Sequence, residues 1–379
     1  MLCLTWVIKK LIIFCKMLRQ ISLQKRGAAV IDSFELFLAL NKIGIDHQVF
    51  LSSDNELKYR WNNLYDRNNI FWLNTYKNSI SSFLFSFFLL KWFNLLILLR
   101  KYKDEDILAT HFHPWLFFVI LLKKMICRKF IYIVHENPFE PKERDDFFSL
   151  LLQKFVIKQA DVIVTHSVNV KNEISKYIKV NVVFFPLGAY SNYCKNFNYK
   201  IKKSDTTTFL FLGRIESYKG VDLLLESFYL LLEKYSNIKL VIAGYGLLPD
   251  VGQKHNSIEI VNRWLSDEEI CGFLNQADVV VLPYKKASQS GVLSLAWACG
   301  VPTIVSDVGG LSEQVLDKEN GLIFKSNDKI DLADKMSEFI VDKDLLVRLK
   351  QGAIYSGEQL YTWNNVAKGI KDVIDISIK

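Results

Sequence analysis

The sequence has little of what marks a secreted or metal-stapled protein. Six cysteines stand in 379 residues, at Cys3, Cys15, Cys127, Cys194, Cys271 and Cys299, and no two share a CxxC spacing. That pattern excludes a standard zinc site and a disulfide framework, and fits a reducing cytoplasm. No low-complexity linker interrupts the chain, and no repeat is visible beyond a likeness between its two halves. Leu4–Phe14 is apolar, but Lys9 and Lys10 interrupt it and no small-residue cleavage site follows, so no signal peptide is expected. Charge is nearly missing from one stretch: Ile80–Leu99 carries only Lys91, with Arg100, Lys101 and Lys103 after it. Its length suits a spanning helix, yet strand patterns continue on both sides, which points to a buried or interfacial helix instead.

What is present is enough for two cores. Half the residues are hydrophobic, and the length predicts two α/β domains. The formal charge of +8 is unevenly placed: 26 basic residues face 16 acidic ones through Tyr190, and 22 face 24 after it. The basic half is also the more apolar and aromatic. Basic residues mixed with apolar runs suit an anionic membrane surface better than nucleic acid; a merely solvated face is the plain alternative.

Residues 1–16 fit no element and read as an extension or a start-site artefact. Strands are expected at Gln20–Gln24, Asp46–Ser52, Ile70–Leu73, Asp106–Phe112, Lys129–Val134, Asp161–Ser167 and Asn181–Pro186. A polar stretch through Asp205 sets the junction near residue 190. The second half alternates more cleanly, with strands at Thr208–Leu212, Lys239–Ala243, Ile258–Asn262, Asp278–Leu282, Pro302–Ser306 and Leu322–Phe324. Short continuous apolar runs separated by helices predict parallel sheets covered on both faces. The expected organisation is a first Rossmann-like domain over 1–190, a second over 191–355, and a C-terminal helix in 356–379 packing back on the first.

The chemistry gathers at strand ends. Leu282–Glu313 reads as a strand end, a small polar loop (Ala287, Ser288, Gln289, Ser290, Gly291), the helix Val292–Cys299, a strand and the turn Gly309-Gly310. A helix start with unsatisfied N–H groups is an anion site, and the paired glycines would let backbone approach a ligand. Upstream, Gly213-Arg214 ends a strand and Lys219-Gly220 opens a helix. A guanidinium and an ammonium across one such loop can share a diphosphate at the sheet's carboxyl edge; two solvated cations are the plain alternative. Gly244-Tyr245-Gly246 lacks the further glycine of a dinucleotide fingerprint. In the first half, His111, His113, His135 and Glu136 stand at strand ends, in a spacing that fits no standard metal site.

GRIESYKG, VIAGYG and LPYKKASQSGVLSLAWACGVPTIVSDVGGLSE resemble the nucleotide-sugar half of family 4 glycosyltransferases, strongly in the second half and diffusely from Gln20 in the first. The resemblance implies a GT-B fold, with two Rossmann-like domains and parallel sheets facing a cleft. It also implies metal-independent transfer with retention, using no cofactor beyond a UDP- or GDP-linked donor. It casts Arg214 and Lys219 as the diphosphate ligands and His135 as a neighbour of the transferred sugar, the three catalytic candidates. Gly27 would face donor phosphate and acceptor. One departure is plain. The family's two glutamates, eight positions apart, are here Ala287 and Leu295, so donor contacts shift to Ser288, Gln289, Ser290, Gly291 and Val292. Glu313 matches the family after the glycine turn, where it would touch donor or cap the following helix.

The expected activity is transfer of a sugar from a nucleotide donor to a glycan or lipid-linked acceptor in surface polysaccharide assembly. The expected place is the cytoplasm, peripheral at the inner membrane face. The alternatives are a catalytically silent subunit of the same fold and a nucleotide-sugar epimerase, whose carboxylate-and-histidine set is not evident.

Overall fold

The computed structural model describes residues 17–64, 68–76, 91–101, 104–140, 146–195, 205–249 and 255–376. Residues 1–16, Ile80–Leu90 of the apolar run, Lys103 and part of the polar stretch before Asp205 lie outside them.

The chain divides into two compact units. The first holds Met1–Thr165, Lys171–Phe185 and Asn364–Lys379. Its strands are β1 (Leu18–Ser22), β2 (His47–Ser52), β3 (Ile70–Leu73), β4 (Asp106–Ala109), β5 (Phe130–Val134), β6 (Val162–Thr165) and β7 (Asn181–Phe184). They form one parallel sheet in the order β3-β2-β1-β4-β5-β6-β7. β1, β2, β4 and β5 are buried at every residue, which is why they read as unbroken apolar runs. β4 ends three residues earlier than its apolar pattern predicts. The last β1–β4 ladder bond runs from Thr110 N–H to Ile21 O at 3.1 Å, and the chain leaves the sheet after it.

The second unit holds His166–Val170 and Pro186–Trp363, so residues 186–190, ahead of the junction read from the sequence, lie in it. Its strands are β8 (Thr207–Leu212), β9 (Ile238–Gly244), β10 (Ile258–Asn262), β11 (Val279–Leu282), β12 (Thr303–Ser306) and β13 (Gly321–Phe324). They make a parallel sheet in the order β10-β9-β8-β11-β12-β13. The helix Val221–Leu232 buries Leu224, Leu225, Phe228 and Leu231, the spacing of one apolar face. Asp267–Gln276 starts with a full capping box between Ser266 and Glu269.

Each sheet reverses its winding once, between β1 and β4 in the first unit and between β8 and β11 in the second. Helices on opposite sides diverge at such a point and leave a crevice at the carboxyl ends of the strands, where open α/β sheets bind ligands. The last helix, Trp363–Asp375, belongs to the first unit from Asn364 onward. There the buried Lys129 ammonium donates to Val373 O and Ile376 O, both at 2.6 Å. Of the apolar run, Lys91–Arg100 is a ten-residue helix. Among the described residues no helix is long and apolar enough to cross a membrane.

Candidate functional site

In the second unit the strand ends β8 and β11 bring two loops together. After β8 the chain runs through Gly213 and Arg214 into a 3-10 turn, Ser217–Lys219. Gly220 follows in the left-handed region (φ 69°), and a Cβ there would stand 1.9 Å from Pro283 O. Only glycine fits, so the lysine loop lies directly on the loop that leaves β11. Lys285 N–H closes the contact by donating to Tyr218 O at 2.7 Å.

Lys219 is half-buried, and its ammonium sits 3.5 Å from the centre of the Tyr284 ring. Burial lowers its pKa to about 8; Tyr218 and Glu216 oppose that shift and Arg214 adds to it. Among the described residues no salt bridge holds this half-buried ammonium, and a cation so placed can meet an anion. Tyr284 is buried, its phenol pushed up to about 12, and its hydroxyl lies 3.3 Å from Ser290 Oγ. Arg214 is exposed and pairs with Glu216 Oε1 at 2.9 Å. A Cβ on Gly213 would meet Val292 Cγ2 at 3.6 Å, which puts the start of the Arg214 loop beside the helix Gly291–Ala298.

That helix begins at Ser290, whose side chain makes no cap bond. Its first amides thus have no cap from that side chain, and amides of this kind can donate to a ligand. The structure thus brings Arg214, Lys219, Ser290, Gly291 and Val292 to one strand-end crevice, with Ser288 and Gln289 half-buried beside them. Leu295 is 7% exposed, in the apolar body of the helix.

Packing alone requires Gly309 and Gly310 to be glycine, and Glu313 has a partner the sequence did not suggest. A Cβ on Gly309 would stand 1.9 Å from Ala287 O, and one on Gly310 2.0 Å from Ser288 O. The glycines let the turn pack on the polar loop and fix its shape. Glu313 does not cap the helix that follows it. Its two oxygens accept the N–H groups of Val168 and Asn169, each at 2.7 Å, in the segment His166–Val170 that joins the second unit. Gly244 and Gly246 likewise serve packing, since a Cβ on either would strike Gly213 O or Ile215 O.

The first unit has its own cluster at the β1/β4 reversal. Gly27 (φ 78°) opens the helix Ala28–Lys42, with open space where a Cβ would be and its N–H on Glu56 Oε1 at 2.6 Å. His135, at the end of β5, donates from Nε2 to Thr110 O at 2.9 Å. A carbonyl can only accept, so the proton is on Nε2 and Nδ1 carries the lone pair. His111 stacks on it, ring centres 3.9 Å apart and 11° from parallel.

Asp32, missed in the sequence, is buried beside the pair, with Oδ2 3.3 Å from His111 Nε2 and 3.9 Å from His135 Nδ1. Burial, reinforced by His111, pushes His135 down to about 3, so it is neutral at any physiological pH. These three residues offer ligand atoms within 4.8 Å of one another. Parallel rings cannot both aim in-plane lone pairs at one ion, so in these rotamers the group is a hydrogen-bonding cluster. His113 is apart from it, buried, with Nδ1 accepting Trp115 N–H at 3.2 Å. The signal for Asp32 was an acid inside the apolar stripe Ile31, Phe34, Phe37.

Comparisons with known proteins agree with this layout. Residues 195–355 match the family described as Glycosyl transferases group 1. An uncharacterized glycosyltransferase of Methanocaldococcus jannaschii is 27% identical over 227 residues, 59% of this chain and 61% of that protein. The D-inositol 3-phosphate glycosyltransferase of Xylanimonas cellulosilytica is 27% identical over 178 residues, 45% of this chain and 42% of its own length. The chain thus spans about half the length of these curated relatives. Sucrose-phosphate synthase of Thermosynechococcus elongatus superposes with a TM-score of 0.72 at 17% identity, covering 94% of this chain and 98% of that one. Anabaena HepE in complex with UDP gives 0.71 at 15%, covering 95% and 99%. The chain has the two parallel-sheet Rossmann-like domains of the GT-B glycosyltransferase fold.

Proposed function

We propose that the chain is a retaining, metal-independent hexosyltransferase of the family 4 kind, moving a sugar from a UDP- or GDP-linked donor to a glycan or lipid-linked acceptor. The observation that carries this reading is the half-buried Lys219 ammonium at the β8/β11 crevice, beside Arg214 and an uncapped helix start. The crystal structure of Anabaena HepE holds UDP in the same fold. In this reading Arg214 and Lys219 take the diphosphate, and the amides of Gly291 and Val292 with Ser288, Gln289 and Ser290 take the rest of the donor. As the sugar–phosphate bond breaks, charge grows on the departing diphosphate. Cations already in place, Lys219 half-buried and Arg214 exposed, stabilise that charge. The leaving phosphate oxygen takes the acceptor proton, and neutral His135 serves as a hydrogen-bonding wall for the sugar rather than as a base.

The acceptor reading rests on the first unit. Phe93, Ile97, Leu121, Met125, Phe147 and Leu151 are each about half exposed or more, on helices that pack on one another in pairs. Arg100, Lys101, Lys124 and Lys158 accompany them. Apolar tips among lysines suit the headgroup region of an anionic bilayer, hence a peripheral enzyme of the inner membrane face working on surface polysaccharide.

The test is a panel of UDP- and GDP-sugars with and without lipid acceptors, read as nucleoside diphosphate release and donor binding. Turnover with one donor is expected. No binding by any nucleotide sugar would sink the reading. Binding without turnover would favour the silent subunit, which Ala287 and the buried Leu295 make the specific rival.

A further inference from the structure

Three of the six cysteines, far apart in sequence, meet in the second unit. Cys194 ends the short helix Ser191–Cys194, Cys271 lies in Asp267–Gln276, and Cys299 closes Gly291–Ala298. Cys271 Sγ is 3.8 Å from Cys194 Sγ, and the helix that Cys299 closes packs on Ser191–Cys194. Cys194 therefore has one thiol in contact and a second on a neighbouring element. The short helix is fixed where it stands. Tyr193 OH donates to Asp267 Oδ1 at 2.6 Å, and Tyr190 N–H donates to Ser294 O at 3.3 Å. The three side chains thus come from three elements already tied together, and the Cys194–Cys271 contact has to close by roughly 2 Å to reach the S–S bond length of about 2 Å. Access is graded in a useful order: Cys271 is fully buried, while Cys194 and Cys299 keep partial exposure.

We propose that this cluster is a thiol–disulfide modification site, in which Cys194 reacts with a small disulfide from solvent and is then linked to Cys271 or Cys299. The oxidant is a low-molecular-weight disulfide. The Cys194 thiolate attacks one of its sulfurs and expels one thiolate, leaving a mixed disulfide on Cys194. The thiolate of Cys271 or Cys299 then attacks Cys194 Sγ and expels the second. Two protein thiols lose two electrons and two protons, and the small disulfide becomes two thiols. Only one link can exist at a time, because both use Cys194. The remaining thiol can attack it, so the bond shuttles between its two partners.

The neighbouring Cys271 thiol, reinforced by burial, pushes the Cys194 thiol well above the usual range. The reaction is therefore slow at neutral pH and quickens as pH rises. This inference is independent of the donor reading.

The experiment treats the full chain with oxidised glutathione at pH 8.5, traps remaining thiols with iodoacetamide, and maps peptides by mass spectrometry. Expected are Cys194–Cys271 and Cys194–Cys299 links, both lost on dithiothreitol treatment. In C271S only the Cys299 link should form, and in C299S only the Cys271 link. In the double variant a glutathione adduct should accumulate on Cys194. Recovery of Cys194 from the unaltered protein as the alkylated thiol, or as a glutathione adduct without either link, would overturn the proposal. This arm needs no variant to fold.

Discussion

Lys219 is the residue on which most turns. Its folded pKa of about 8 lies below the ordinary 10.5, so the free protein holds a cation that burial disfavours. Two expectations follow from the sign. Between pH 8 and 10.5 the unfolded chain binds more protons than the folded one at this site, so stability rises with pH across that window and is lowest below it. Accordingly Lys219→Met should melt no lower than the unaltered protein at pH 7, while Lys219→Ala cuts turnover by on the order of 100-fold or more through lost transition-state stabilisation. Donor affinity in titration calorimetry should fall as pH rises through about 8, and Lys219→Arg should flatten that limb. A pH-independent donor affinity would remove the ammonium from the site. Lys219 was legible in the sequence because strand, glycine and cation follow one another locally. Asp32 was not: its meaning depends on His111 and His135, which reach it only when β4 and β5 are laid beside β1. The partner of Glu313 was hidden for the same reason, being roughly 145 residues away in the chain.

At the scale of elements, the sequence pattern served best where a short parallel strand is bounded by polar residues, as β3 is by Asn69 and Asn74 and β10 by Ser257 and Arg263. β3 and β10 run as their apolar patterns predict, and most others differ by a residue or two at an end. It failed where apolar or aromatic residues continue past the ladder, as in Thr110–Phe112. Glycines in the two crossing loops were read as ligand-facing or as turns, and their neighbours are carbonyl oxygens of the opposite loop. Gly220→Ala combines a left-handed φ with an impossible approach to Pro283 O, and should destabilise the protein by about 2 kcal/mol or more in urea unfolding. An unchanged midpoint would mean the loops do not touch. Glu313→Ala removes a carboxylate from two helix-start amides and should cost about 1 kcal/mol. Donor affinity that falls with it would give Glu313 a second role, in the donor site. The basic, apolar helices of the first unit make a separable prediction. Phe147→Ser with Leu151→Ser should weaken binding to anionic vesicles on the order of tenfold or more, with soluble donor binding intact. Unaltered vesicle partition would place any membrane contact elsewhere.

At the scale of the whole chain, the order of residues and the order of structural units part company at the end: the last helix returns to the first unit. Its hold there is partly apolar and partly ionic. Val366, Ala367, Ile370, Val373 and Ile374 are buried, and Gly369 admits the Phe185 ring so closely that a Cβ would stand 2.3 Å from it. Lys129, 2% exposed, has its ammonium on the carbonyls of Val373, Ile374 and Ile376. These are the unsatisfied acceptors at a helix C-terminus, where a cation is favoured. A chain cut after Trp363 would lose that apolar cover, an upper bound on the order of 10 kcal/mol at ~25 cal/mol per Å², and would leave the Lys129 ammonium without those carbonyls. Hydrogen exchange should then show β4, β5 and β6 losing protection while β8, β9 and β11 keep theirs. Lys129→Met in the shortened chain separates the two causes. If the stranded ammonium dominates, the apolar replacement recovers much of the lost protection. If apolar cover dominates, it recovers little. Equal loss of protection in both sheets would show that the helix stabilises the chain as one cooperative body rather than the first unit alone.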